Sequence, residues 1–494
     1  MLPDDLCARL RDTLLEQEFT TTGVRELLGP GAHGALTRGE PEAAARATRE
    51  AGGLGSLVRL FLLSGTEEKP PLPELDALVV GGLLTAGPDG YRAAMDLRPY
   101  GEADVGVGAA GDADWYVLSD LDTPAARQDR DHVTGVGGAS LTLASSLVRT
   151  PVRETLDLGT GCGVQALHAS RFSGRVVATD VAPKALAVAR ATLALSGVRG
   201  VELVEGPWFA PVADREFDAI VSNPPFVPGP ERVEYVYRDS GQAGDAALAG
   251  LLADLPARLR PGGRAQLLGS WLHVRGEDWP DRVRSWVPAG CDAWILQREV
   301  TDPALHVGTW QRDAGLDLSA PATRAAASEW LDWLDAERVE AVGFGFLLLR
   351  RRADGGPGTV VVEDLQGELA DPLNIEMAEW MDRIDWLGTH ASDEALLGAR
   401  LRLSPGATLE RYGVASEEGW AEAGAAVVLA DGPQWRHEVD EPAAALLAGC
   451  SGALPLEELF HLLAFAHDRP VDALVQAALP AVREFVRHGV LVPA

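Results

Sequence analysis

The sequence predicts an α/β domain on a largely parallel sheet, flanked by a region of short helices ending in a hairpin and by a mixed, mostly helical C-terminal region. Three observations predict it. Between residues 151 and about 350, strand-length apolar runs alternate with glycine-rich turns and helical stretches, which is how a parallel sheet with crossover helices reads. Before them, residues 1 to about 100 pass from helical apolar spacing to strict alternation. The chain has 494 residues, and at ~150 residues per domain that is room for about three. The expected domains are 1–130, 131–353 and 354–494.

In the first region, Leu6 to Leu15 carries apolar residues at helical spacing. Thr21 and Thr22 are placed to cap a second helix through Leu28, stopped by Gly29-Pro30. Leu54 to Leu63 is a third apolar segment, and Pro73 to Val80 a further helix ended by Gly81-Gly82. A hairpin follows: Leu83 to Ala86, a Gly87-Pro88-Asp89-Gly90 turn, and Tyr91 to Leu97. Helices followed by a hairpin predict a winged-helix-like module that grips a substrate or a partner. In the central region the expected strands are 155–158, 176–179, 201–204, 219–221, 265–268, 293–296 and 343–349. An insertion bearing Trp310 and a helix around Trp330 to Leu334 separates the last two. Arg351 to Gly358 reads as a linker, and Leu456 to Ala466 and Ala473 to His488 as C-terminal helices.

Composition excludes several classes. With 46% hydrophobic and 23% charged residues the chain is neither disordered nor fibrous. No apolar run approaches the ~20 residues of a membrane span, and Met1 to Asp5 begins no signal peptide, so a soluble, cytoplasmic protein is expected. The four cysteines, at 7, 162, 291 and 450, form no CxxC pair, so neither a disulfide frame nor a zinc site is expected. His461 and His467 are wrongly spaced for a metal pair on one helix face, and no metal is predicted. The net charge of −30 argues against nonspecific nucleic-acid binding.

The chemistry concentrates in two stretches. The first is Asp157-Leu158-Gly159-Thr160-Gly161-Cys162-Gly163, entered by an apolar strand and left by a helix. Its glycines allow a sharp turn and a close approach of backbone to ligand, and the helix N-terminus offers donors. Asp157 ends an apolar strand, and a carboxylate buried there needs a cationic or amine-bearing partner. Asp180, at the next strand end, suits ribose hydroxyls. The second stretch is Asn223-Pro224-Pro225-Phe226, directly after the strand Ala219-Ile220-Val221. Consecutive prolines stiffen the loop and fix where Asn223 points. Its carbonyl acceptor, beside the Phe226 ring, suits a planar group bearing an NH2.

These motifs resemble the class I S-adenosylmethionine-dependent methyltransferases, in the branch with an Asn/Asp-Pro-Pro-aromatic motif that methylates nitrogen. The resemblance covers residues ~135 to 350 and implies a Rossmann-like, seven-stranded domain. It implies that Asp157, Gly159, Thr160, Gly161 and Gly163 line the methionine end of S-adenosyl-L-methionine, that Asp180 holds its ribose, that Asn223 also touches the cofactor, and that Asn223, Pro224, Pro225 and Phe226 hold the accepting nitrogen. Where the family often has Gly-Asp and a bulky residue, this chain has Gly206-Pro207-Trp208-Phe209. Trp208 stacking on the adenine, or Glu205 bonding to it, is expected to replace the missing acid.

The substrate signals split. Asp157 to Gly161, and the run from Asp239 to Asp245 through Leu259 to Gly263, look most like the release-factor glutamine enzymes. Thr134 to Leu141 resembles the loop before the cofactor motif in ribosomal RNA guanine enzymes. The favoured substrate is a glutamine or other amide of a protein partner. The alternative is an exocyclic base amine of RNA or DNA, and a third possibility is a non-catalytic cofactor-binding module, which the intact Asn223 motif opposes. A continuous arginine groove beside Asn223, fed by Arg92, Arg98, Arg232 and Arg238, favours RNA. An acidic or apolar cleft favours protein.

Overall fold

The computed structural model describes residues 2–107, 114–231, 239–365, 369–370, 372–417 and 419–494. These fall into two compact units, one of residues 1–144 and 149–364, the other of 145–148 and 365–494.

The first unit is organised by one sheet of strands β1 (Val152–Leu158), β2 (Ser173–Asp180), β3 (Val201–Glu205), β4 (Phe217–Ser222), β5 (Leu259–Val274), β6 (Cys291–Thr301), β7 (Val339–Arg351) and β8 (Val360–Asp364). Their order is β8-β6-β7-β5-β4-β1-β2-β3. The run from β5 to β3 is parallel, whereas β7 is antiparallel to β5 and β6. The expected alternation is therefore present, with eight strands in place of seven. β8 pairs in parallel with β6, Val361 opposite Trp294, so the domain continues past the expected end at 353.

The chain leaves β1 towards β2 and β3, then crosses back to lay β4 on the other side of β1. That reversal opens a crevice at the carboxyl ends of β1 and β4, where open α/β sheets bind ligands. In register there, Leu158 pairs with both Thr179 and Ser222. The core beneath is continuous: Leu156, Phe217, Ile220, Leu251, Trp271, Ile295 and Leu347 are all buried. The long β5–β7–β6 ribbon needs glycine at 345, where a Cβ would come 2.0 Å from the Leu296 carbonyl oxygen. Gly345→Ala is expected to cost about 3 kcal/mol, read as a lowered denaturant midpoint with an unchanged slope.

The N-terminal segment is not a separate unit ending at 130. Strand Trp115–Ser119 is stitched to helix Pro183–Leu195 and its cap: Ser196 Oγ accepts from the Tyr116 N–H at 3.0 Å, and Thr192 Oγ1 from the Leu118 N–H at 3.1 Å. A buried network adds to this, with Tyr100 Oη 2.7 Å from His168 Nε2 and Arg149 reaching Glu102 at 2.7 Å. Within the segment, the second helix has its N-cap at Thr20 rather than Thr21, and its break at Gly29 falls where expected. The anticipated strand from Tyr91 to Leu97 is two strands, Gly90–Ala93 and Asp96–Tyr100, in different sheets. The hairpin is joined by Thr66–Glu67 into a small three-stranded sheet.

In the second unit, strands Ser451–Pro455, Arg400–Leu403 and Leu491–Pro493 form one sheet, and Ala407–Ser416, Gly419–Leu429 and Arg436–Val439 another. Helices Leu456–His467 and Val471–Arg487 pack on a core containing Leu459, Phe460, Val482 and Phe485. The unit is more strand-rich than the mostly helical region expected. Among the described residues no helix is long and apolar enough to cross a membrane.

Candidate active site

The crevice at the switch point is a cavity of about 400 Å³. The expected residues Gly159, Thr160, Gly161, Asp180, Trp208, Asn223, Pro224 and Pro225 line it. Asp157, Gly163, Glu205 and Phe226 are not among its lining residues.

The glycine turn follows from the backbone. Gly159, Gly161 and Gly163 all have positive φ, a region costly for other residues. A Cβ at Gly159 or Gly161 would meet nothing within 4 Å, whereas one at Gly163 would lie 3.2 Å from Ala189 Cα and Cβ. The first two therefore present bare backbone to the cavity, and Gly163 lets helix Val164–Ala169 pack on helix Pro183–Leu195. The Gly159 and Thr160 N–H groups both donate to the Thr179 carbonyl at 2.9 Å. Gly163→Ala is expected to lose about 1–3 kcal/mol, seen as a fall in melting temperature.

Below the turn, Asp157 is 1% exposed. Its Oδ2 accepts from Thr160 Oγ1 at 2.6 Å, and its Oδ1 is buried with no hydrogen-bond partner. Burial pushes its carboxyl up to about 7 despite the Thr160 bond. Asp180 accepts from the Gly161 and Ala182 N–H groups, each at 2.9 Å, and burial raises its pKa as well. Both of its oxygens thus fix the loop and the start of the next helix while it faces the cavity.

Asn223 lines the cavity from the end of β4, and its Oδ1 is buried without a hydrogen-bond partner. The loop behind it is clamped by the insertion helices Pro303–Asp313 and Pro321–Ala336. His306 Nε2 lies 3.0 Å from the Pro228 carbonyl, and a Cβ at Gly229 would lie 3.2 Å from the Trp330 ring. The Phe226 ring sits 5.2 Å from Phe344 and 6.0 Å from Trp310. The aromatic side chain expected to face the accepting group instead anchors the loop.

At the third strand end, Trp208 lines the cavity with φ of +47°. Glu205 is exposed and outside the lining, so of the two replacements expected for the missing acid only Trp208 borders the cavity. His132, just before the Thr134 loop, is buried and lines the cavity. Burial holds its imidazole below the ordinary range, against the Asp120 carboxylate at 3.7 Å. Asp120 also bonds Lys184 at 2.7 Å and the Val133 N–H at 2.7 Å. Only its place just before Thr134 signalled this role.

The lining fits S-adenosylmethionine, with bare glycine backbone, an acid at the second strand end and an aromatic ring at the third, and the unpartnered carboxylate oxygen of Asp157 is buried beneath the turn. Among the described residues the cavity lining contains Asp131, Asp180 and Asp239 and no lysine or arginine. Arg92 bonds Thr66, and Arg98 pairs with Asp96. Arg232 and Arg238 lie outside the described residues.

A family model described as the methyltransferase small domain matches residues 134–266. Two models described as domains of unknown function, DUF7059 and DUF7782, match 16–94 and 378–493. A release factor glutamine methyltransferase of Deinococcus radiodurans is 34% identical over 226 residues, covering 39% of this chain and 77% of that protein. Another, from Gloeobacter violaceus, is 36% identical over 121 residues, covering 22% of this chain and 42% of that protein. The Deinococcus protein apart, the chain spans about half the length of the curated relatives it matches. A solved methyltransferase structure from Pyrococcus furiosus is similar at 17% identity and a TM-score of 0.26, over 42% of this chain and 80% of that one.

Fold and site together define a class I methyltransferase with S-adenosylmethionine as its cofactor. The chain belongs to the family of S-adenosylmethionine-dependent N-methyltransferases represented by the Deinococcus relative.

Proposed function

We propose that this enzyme methylates the side-chain amide nitrogen of a glutamine in a cytoplasmic protein partner, a release factor being the first to test. The observation that carries the reading is the Asn223 Oδ1, a buried acceptor without a partner at the cavity. The acidic lining, without lysine or arginine among the described residues, favours a protein over a polyanion.

An amide nitrogen is a poor nucleophile because its lone pair is delocalised. When bound, the cofactor supplies a methyl group made electrophilic by the sulfonium. The chain aligns the acceptor, and alignment alone is worth ~7–11 kcal/mol. Asn223 Oδ1 accepts one N–H of the substrate NH2, and a proline carbonyl of the Pro224-Pro225 pair is assigned the other. Both bonds strengthen as positive charge develops on nitrogen, which stabilises the transition state rather than the ground state. The Phe226, Trp310 and Trp330 contacts hold the loop so that these acceptors need no reorganisation. The methylated nitrogen is very acidic before it loses its proton, so no dedicated base is assigned.

The test is transfer of labelled methyl from S-adenosylmethionine into lysate of a strain lacking the protein, followed by separate protease and RNase digestion. Label released only by protease is the expected result. Label released only by RNase would replace the proposal with a base-amine substrate.

A further inference from the structure

In the second unit, the end of helix Val471–Arg487 and the strand Arg436–Val439 bring together His437, Glu484 and His488. Each offers one ligand atom, and the three atoms lie within 4.8 Å of one another. His488 Nδ1 and His437 Nε2 are 3.0 Å apart. Two imidazoles on one tetrahedral zinc, each at ~2.0–2.1 Å, hold their nitrogens ~3.3 Å apart, so the spacing of this hydrogen-bonded pair lies within a few tenths of an ångström of that of two ligands on one ion. Glu484 and His488 are four residues apart and share one face of the helix end. That end carries the negative pole of the helix dipole, which favours a cation.

Aromatic neighbours hold both rings in place. Trp435 stacks on His488 with centroids 4.0 Å apart and planes 8° from parallel. Phe485 meets the His437 ring edge-on at 5.2 Å. His488 is 4% exposed, while Glu484 is exposed, so the donors pass from core to solvent. Two imidazoles and a carboxylate are the ligand types of zinc and neighbouring divalent ions.

We propose that His437, Glu484 and His488 bind one divalent transition-metal ion of the zinc class. The ion fastens the strand to the helix end, and three protein donors leave one tetrahedral position for water or an added ligand. This site does not depend on the methyl-transfer reading.

The test uses the full, untagged chain, stripped with a chelator, equilibrated with Zn2+, freed of loose metal by gel filtration and assayed for zinc. About one zinc per chain is expected, with a zinc-dependent rise in melting temperature. Glu484→Gln changes an exposed side chain and should fold normally, yet bind zinc at least ~10-fold more weakly. His437→Gln should do the same, whereas His461→Ala should bind as the parent does. If the parent retains no zinc, or if Glu484→Gln and His437→Gln retain as much as the parent, the proposal is wrong.

Discussion

Asn223→Ala is expected to lower the turnover of methyl transfer by about 10²–10³-fold, with affinity for the cofactor or its demethylated product changed by no more than about threefold. The split follows from where the atom sits. Asn223 follows β4 and faces the cavity, while the glycine turn proposed to receive the cofactor follows β1. Removing the amide takes away an acceptor whose bond strengthens only as the substrate nitrogen becomes positive, so the loss falls on the barrier. Steady-state kinetics together with calorimetric titration of the product separate the two effects. Equal losses in both would move Asn223 from the acceptor site to the cofactor site. Asn223→Asp should behave differently, because it retains an acceptor oxygen and should keep part of the rate.

Asp157→Asn is expected to stabilise the free protein near pH 8 while weakening cofactor binding by at least about tenfold. An ordinary carboxyl titrates at 3.8 and this buried one at about 7, a displacement of about 4 kcal/mol. The sign follows from proton counts. Between these values the unfolded chain has released the proton that the folded chain still holds. Folding is therefore penalised progressively as pH rises from about 4 to 7, and by a constant amount above. Asn carries no charge to bury, so its advantage should be largest near pH 8, shrink as the pH falls from 7, and vanish below about pH 4. An unpaired amide hydrogen, at ~1–3 kcal/mol, offsets part of it. On the proposed pairing of the cofactor's cationic group with the ionised Asp157 the sign reverses: parental affinity should fall below about pH 7 and that of Asp157→Asn should not. Melting curves from pH 4 to 8 and titrations from pH 5 to 8 read both. A flat affinity profile for the parent would separate Asp157 from the cofactor's charge.

Much of this was legible in the sequence for local reasons. β1, β2 and β3 are short runs closed by glycine or an acid, and Asp157 to Gly163 and Asn223 to Pro225 mark the ends of β1 and β4, which the sheet places side by side. What was missed depends on distant partners. β8 follows a glycine-rich turn that reads as a linker, and only its pairing with β6 makes it a strand. The N-terminal boundary dissolves because Thr192 and Ser196 accept from a strand more than 70 positions away. Phe226 packs in the loop's anchor, outside the cavity lining, because Trp310 and Phe344, remote in sequence, lie against its ring. His437 and His488 carry no motif spacing at all and meet only through the tertiary fold.

The central claim is that Asn223 presents an amide nitrogen for methylation. Its most direct measurement is tandem mass spectrometry of the protein labelled by the purified enzyme, beside the same reaction with Asn223→Ala. One added methyl on a glutamine side-chain nitrogen is expected with the parent, and at least about 100-fold less of it with the variant in the same time. A methyl on a carboxylate, thiol or lysine, or one transferred equally well by Asn223→Ala, would contradict it.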